Sequence, residues 1–255
     1  MATASEALKN FTITRGAVIS PTQLAFFAQS DSDDEFWQAQ GRFPDRLVAH
    51  DLETGNWAYV EFSRFGVPQI AGGTLDSGHL VTLAAGCDIA SLHYKQGPNG
   101  SEQSALSAFE ECVEDLRFIG RHFYAVGDNL TLARRLGISE WERLHYLDED
   151  IPQPDYPDGD IPALFAVDGF SEDEIYASGQ DNTLVHYDGE RLTYEMLPEV
   201  VKEGVWGKFI GRAIVCAPDG QVYVGGHSGE LLVGRHGQWR MVIPQQLRNI
   251  GCIDH

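Results

Sequence analysis

Two stretches of this chain carry nearly the same text. Glu174–Leu197 reads EIYASGQDNTLVHYDGERLTYEML, and Gln221–Ile243 reads QVYVGGHSGELLVGRHGQWRMVI. They bring Tyr176 onto Tyr223 and Gly179 onto Gly226, each pair 47 residues apart. A third copy, FYAVGDNLTLARRLGISEWERL, supplies Tyr124 and Gly127, 52 residues before Tyr176 and Gly179, with the added length in a loop rich in Pro and Asp. A weaker fourth, LVTLAAGCDIASLHY, sets Gly86 41 residues before Gly127. Even LVAHDLETGNWAYV keeps a turn Gly and a Trp, Gly55 and Trp57, as RHGQWRMV does with Gly237 and Trp239. A period in the forties marks stacked repeats or a propeller.

Each copy reads as strands joined by tight turns. Gln221–Val224 alternates and forms a strand, Gly225, Gly226 and Gly229 turn it, Leu231–Val233 forms a second, and a third opens at Trp239 after Arg235-His236-Gly237. The segment ahead of each copy, such as Lys208–Gly220 or Ile161–Asp173, adds one more apolar strand. Four antiparallel strands make a propeller blade. The expected fold is therefore all-β: a single-domain β-propeller of about five to six four-stranded antiparallel blades. The blades fall near residues 24–63, 69–113, 114–148, 160–198 and 205–244, and 246–255 begins a closing or truncated blade. One helical insertion is expected at Ser101–Leu116, where Ala105, Leu106, Phe109, Cys112, Val113 and Leu116 mark one face. Because an open strand edge invites aggregation, Asn10–Ser20 is expected to pair with the final strand and close the ring, unless the natural protein is longer.

Composition narrows the function. The 38 acidic residues outnumber the 18 Lys and Arg, and the net charge of -20 repels nucleic acid and anionic membranes. It favours a basic protein partner, or serves solubility. The opening residues carry neither a cationic nor an apolar leader region, and no run approaches the roughly 18 apolar residues of a spanning helix, so a cytoplasmic location is expected. Cys87, Cys112, Cys216 and Cys252 form no C-x-x-C pair and read as buried thiols.

Gly169–Leu192 and Val222–Trp239 resemble the WD40/YVTN-like or kelch-like β-propeller repeats of bacteria. No Trp-Asp dipeptide of true WD40 repeats is present, nor the Ser-x-Asp-x-Gly-x-x-Trp box of sialidase-type repeats. Small acidic propellers of this kind are found as immunity partners of polymorphic toxins. The resemblance thus implies a non-enzymatic protein-binding role, neutralising a basic, nuclease-type toxin domain by occluding it. A fold of this kind specifies a scaffold rather than a role, so a carbohydrate-active hydrolase or lyase at the channel mouth stands as the alternative.

Two acidic loops are the expected contact surface. One holds Asp31, Asp33, Asp34 and Glu35 beside Phe36 and Trp37, an aromatic pair suited to anchoring a partner. The other holds Asp148, Glu149, Asp150, Asp155, Asp158 and Asp160. Their order does not fit a calcium loop, four prolines resist wrapping, and a merely solvated loop is the competing reading. The nine histidines show no H-x-H or H-E-x-x-H spacing, so neither metal nor cofactor is expected. Asp128, Asp181 and His227 sit at comparable repeat positions and are the candidates for a channel face, although turns use such residues anyway. Trp57, Trp141, Trp206 and Trp239 are expected to pack blades.

Overall fold

The computed structural model describes residues 2–31, 44–62, 68–75, 78–85, 88–93, 97–102, 112–137, 140–144, 161–198, 208–243 and 250. Among these the chain is almost all strand, in five antiparallel sheets of four strands, each sheet built from consecutive strands. The alternation read from the repeats thus folds into four-stranded antiparallel sheets. No helix among the described residues is long and apolar enough to cross a membrane. The chain divides into two compact units, Met1–Ser107 and Ala108–His255.

The first unit holds two sheets. In the first, β1 (Phe11–Ser20), β2 (Gln23–Ser30), β3 (Asp45–Asp51) and β4 (Trp57–Phe62) pair in that order. In the second the order is β5 (Gln69–Leu75), β6 (Gly78–Ala85), β7 (Asp88–His93) and β8 (Gly97–Glu102). Alternation in β2 sends Ala25 and Phe27 into one cluster with Ile19, Leu47 and Val81, and Phe26 and Ala28 into another with Ala7, Phe11 and Val48. The second cluster lies under a short helix, α1 (Ala4–Leu8), started by a Thr3–Glu6 capping box. Arg46 docks this helix: its guanidinium donates to the Glu6 and Ala7 carbonyls at 3.1 and 2.9 Å and to Glu61 at 2.6 Å. It is held between the rings of Phe11 and Tyr59. A buried cation is tolerable because each face of it is paired.

Asn10–Ser20 behaves differently from the expectation. Its strand pairs along its length with β2, from Phe11↔Ser30 to Ser20↔Gln23, and so is the first strand of the first sheet. The expected helix at Ser101–Leu116 is also corrected at both ends. Ser101 and Glu102 finish β8, and Val113–Leu116 opens a strand, while 103–111 lie outside the described residues.

The second unit holds three sheets of one plan. They are β9 (Val113–Ile119), β10 (His122–Gly127), β11 (Thr131–Gly137) and β12 (Glu140–Arg143); then β13 (Leu164–Ser171), β14 (Glu174–Gly179), β15 (Leu184–Tyr187) and β16 (Leu192–Tyr194); then β17 (Gly211–Cys216), β18 (Val222–Gly226), β19 (Leu231–Arg235) and β20 (Gln238–Ile243). Register makes the three repeat tyrosines equivalent. Tyr124 faces Arg117 and Arg134, Tyr176 faces Asp168 and His186, and Tyr223 faces Val215 and Val233.

The first strand of each sheet carries one unmatched residue near its start, Glu114, Phe165 or Arg212. These are β-bulges, and each re-aims the strand where it meets the next. The first strands are then tied by carboxylates: Val167 N–H donates to Asp115 at 2.9 Å and Cys216 N–H to Asp168 at 2.8 Å. Gly127 and Gly179 must be glycine, because a Cβ would collide with the carbonyls of Cys112 and Ala163.

Between the sheets lie two apolar seams. Tyr124, Val126, Leu132, Leu164, Ile175 and Val185 fill the first, and Tyr176, Leu184, Phe209, Ile214, Leu232 and Trp239 the second. Turns lock each seam, with Leu130 N–H donating to Pro162 O at 2.9 Å and Asn182 N–H to Phe209 O at 2.8 Å. The last sheet's turn meets Ile250 in a similar place, through Ile250 N–H to Gly226 O at 3.1 Å. That contact places Ile250 against the end of the fifth sheet.

Candidate functional site

The densest polar cluster among the described residues sits at the edge of the second seam. Glu174 opens β14, and Tyr176 lies two residues on, on the same side of the strand. Pairing of β14 with β15 sets His186 opposite Tyr176, and their rings stack at 4.5 Å between centroids, 20° apart. From the fifth sheet come Arg235 and His236. His236 and Gly237 form a two-residue hairpin turn, both with positive φ (49° and 74°), the mirror-image turn that suits the strand twist. Glu195 fixes that turn by accepting from Gly237 N–H at 2.5 Å and Trp239 Nε1–H at 2.7 Å.

Glu174 is the hub. Arg235 donates to it from Nη2 at 2.7 Å and from Nε at 2.9 Å, and the Tyr176 hydroxyl donates at 3.0 Å. His236 Nε2 is 3.2 Å from its Oε1 and His186 Nε2 is 3.7 Å away. The hydrogen bonds from Arg235 hold its carboxyl below the usual Glu range. Burial pushes the Tyr176 hydroxyl up and the His186 imidazole down, so His186 stays neutral near pH 7. The cluster is built on the Arg235–Glu174 ion pair, with the His186 ring stacked on Tyr176 beside it. The ligand atoms of Glu174, His186 and His236 all lie within 4.8 Å of one another, a set able to hold a metal ion.

Beside it, at the first seam, lies an open hollow of about 630 Å³ lined by Arg121, Arg134, Phe170, Glu172 and Asp173 among others. Glu172 crosses this seam to accept from Arg121 N–H at 2.7 Å and to meet His122 Nδ1 at 3.0 Å. Phe170 links the two places, since the Arg235 guanidinium lies 4.5 Å over its ring.

Of the expected contact residues, one lies among the described residues. Asp31 is described: it is exposed and accepts from Thr12 Oγ1 at 2.6 Å. Asp33, Asp34, Glu35, Phe36 and Trp37 lie outside the described residues, as do Asp148, Glu149, Asp150, Asp155, Asp158, Asp160 and Trp206. Asp128, Asp181 and His227 occupy the turns after β10, β14 and β18. Asp128 and His227 directly follow the repeat glycine, whereas Asp181 stands one place later, in the left-handed region (φ 55°) and 3.5 Å from Lys208. Trp141 and Trp239 are buried, and Trp57 stacks on His50 at 4.1 Å.

Sequence reading passed over Glu174, Tyr176, His186, Arg235 and His236 as a site. The signal lay in the repeat register. His186 stands where the other copies have Arg134 and Val233, and Glu174 where they have His122 and Gln221.

No protein-family model matches this chain. Over 119 residues, 47% of its length, it is 31% identical to the immune protein Tsi7 of Pseudomonas aeruginosa, and the match spans 35% of that protein, about a third. Among solved structures, the WD40 repeats of RRP9 superpose with a TM-score of 0.60 at 9% identity, covering 93% of this chain and 67% of that one. U3-55K gives 0.58 at 10% identity, covering 93% of this chain and 68% of that one. The extracellular domain of a B. thetaiotaomicron hybrid two-component system gives 0.59 at 12% identity, covering 95% of this chain and 30% of that one. At such identities the likeness concerns the fold alone, that of a WD40-like propeller.

Proposed function

We propose that this chain is an immunity protein that binds a toxin domain and occludes it. The observation that carries the reading is the 31% identity to Tsi7, an immune protein. The WD40-like likeness supports it, since such a scaffold presents turns and rims to a partner without needing chemistry of its own. On this reading the five sheets are blades of one propeller, and Ile250 belongs to a segment, 246–255, that begins a further blade. The protein acts in the cytoplasm as a binding protein, not an enzyme, and its partner is basic. The net charge of -20 supports that last point, because opposite fields steer encounter.

The test is capture and rescue. The chain is expressed with the secreted protein encoded beside it, and the toxin domain is expected to co-purify and to lose its toxicity. A neighbour that neither binds nor kills, or one that kills despite the chain, overturns the proposal. The charge reading has its own measurement. Replacing Asp155, Asp158 and Asp160 together by Asn is expected to slow association about tenfold at low salt, and rising salt is expected to erase the difference. An association rate indifferent to both places the surface elsewhere.

A further inference from the structure

We propose that Glu174, His186 and His236 form a site for a borderline divalent metal of the zinc type, which staples the fourth sheet to the fifth. Glu174 and His186 come from β14 and β15, while His236 comes from the β19–β20 turn, so one ion would touch both sides of the seam. The spacing fits. Ligands around a tetrahedral zinc, bonded at about 2.0–2.1 Å, stand about 3.3 Å apart. Here Glu174 Oε1 is 3.2 Å from His236 Nε2 and 3.7 Å from His186 Nε2.

Two further features point the same way. The Nε2 of His186 is buried and makes no hydrogen bond, an arrangement that costs free energy unless something binds it. It faces Glu174 from too far for a hydrogen bond but at the distance of a shared ion. Meanwhile the Tyr176 hydroxyl meets Nδ1 of His236 at 3.3 Å, leaving Nε2 turned to Glu174. Metal-bound histidines are commonly held through their other nitrogen in this way. The side chain of His236 is 55% exposed, so water can take the fourth position.

Arg235 competes. Its guanidinium pairs with both Glu174 oxygens, yet it also lies over Phe170 and can keep Oε2 while an ion takes Oε1. The ligands are 12 and 50 residues apart in the chain, a spacing no short motif covers.

The full chain, free of tags and stripped by chelator, is titrated with zinc chloride by calorimetry and melted with and without zinc. One saturable zinc per chain is expected, with a higher Tm in its presence. His236→Asn keeps a residue tolerant of positive φ on an exposed turn, and His186→Phe keeps the stack on Tyr176. Each is expected to weaken zinc at least about tenfold and to abolish the Tm gain. Arg235→Gln, which removes the competing cation, is expected to tighten it. Absence of saturable binding by the wild-type chain overturns the proposal, as does wild-type affinity in His236→Asn. If His186→Phe does not fold, His236→Asn decides alone.

Discussion

The two seams of the second unit share a plan and differ at their edges. Both bury a second-strand tyrosine completely, Tyr124 in one and Tyr176 in the other, and both are crossed by a carboxylate reaching a first-strand N–H. At the first seam the polar edge is loose: Glu172 reaches across, Arg134 turns to Glu142 on its own sheet, and a hollow stays open. At the second seam the edge is shut by Glu174, Arg235, His186 and His236. The apolar half of a seam thus comes from the repeat, and its polar edge comes from residues that the repeat leaves free. The third tyrosine completes the contrast. Tyr223 is only partly buried and donates to Asp219 at 2.7 Å, with no later sheet over it among the described residues.

The strongest way to break this comparison is to truncate the tyrosines. Tyr176→Ala is expected to cost about 3–5 kcal/mol, the range for emptying a fully buried aromatic site. Tyr223→Ala is expected to cost a small fraction of that. Urea denaturation of both variants measures the pair, and equal losses would show that burial comes from each sheet alone rather than from its neighbour.

Next in size is the clasp over the second seam. Glu195→Ala leaves the N–H of buried Trp239 without its acceptor and is expected to cost about 1–2 kcal/mol. At the looser seam, Glu142→Gln opens a pair within one sheet, in which Arg134 and Glu142 are 27% and 45% exposed. Solvent screening leaves that pair worth about 0.5 kcal/mol or less. Melting curves showing equal losses would mean that the two edges are not different in kind.

The smallest effect concerns pH. Burial raises the Asp115 carboxyl above its ordinary value of 3.8 although Val167 and Leu116 donate to it. A raised folded value means that stability from the neutral form is fully present below 3.8 and is lost as pH rises through the raised value. Asp115→Asn is therefore expected to flatten the fall in stability with rising pH over that window. A slope unchanged in denaturation curves taken across it would assign the titration to another group.

How legible was this in the sequence? The repeat announced the four-strand plan and the equivalence of Tyr124, Tyr176 and Tyr223, because tyrosine and glycine recur wherever packing and tight approach demand them. The helix expected at Ser101–Leu116 is overturned at its C-terminal end for a local reason. Val113 and Leu116 share a buried face three residues apart because Glu114 is an unmatched bulge, and a bulged strand imitates helical spacing. The first sheet's opening strand was misplaced because the N-terminal copy keeps only its end. The cluster around Glu174 was unread because its members are set side by side by register and by the contact of two sheets, neither of which a linear motif records.

The bulges have one more consequence. In successive first strands the unmatched residue is Glu114, Phe165 and Arg212, one acidic, one aromatic and one basic, and the Arg212 guanidinium lies 3.9 Å over the Phe165 ring. An unmatched residue answers to no partner in the ladder, so its side chain is free to meet the unmatched residue of the next sheet, as Arg212 meets Phe165. The bulges of the fourth and fifth sheets thereby add a contact between sheets that the ladder does not record.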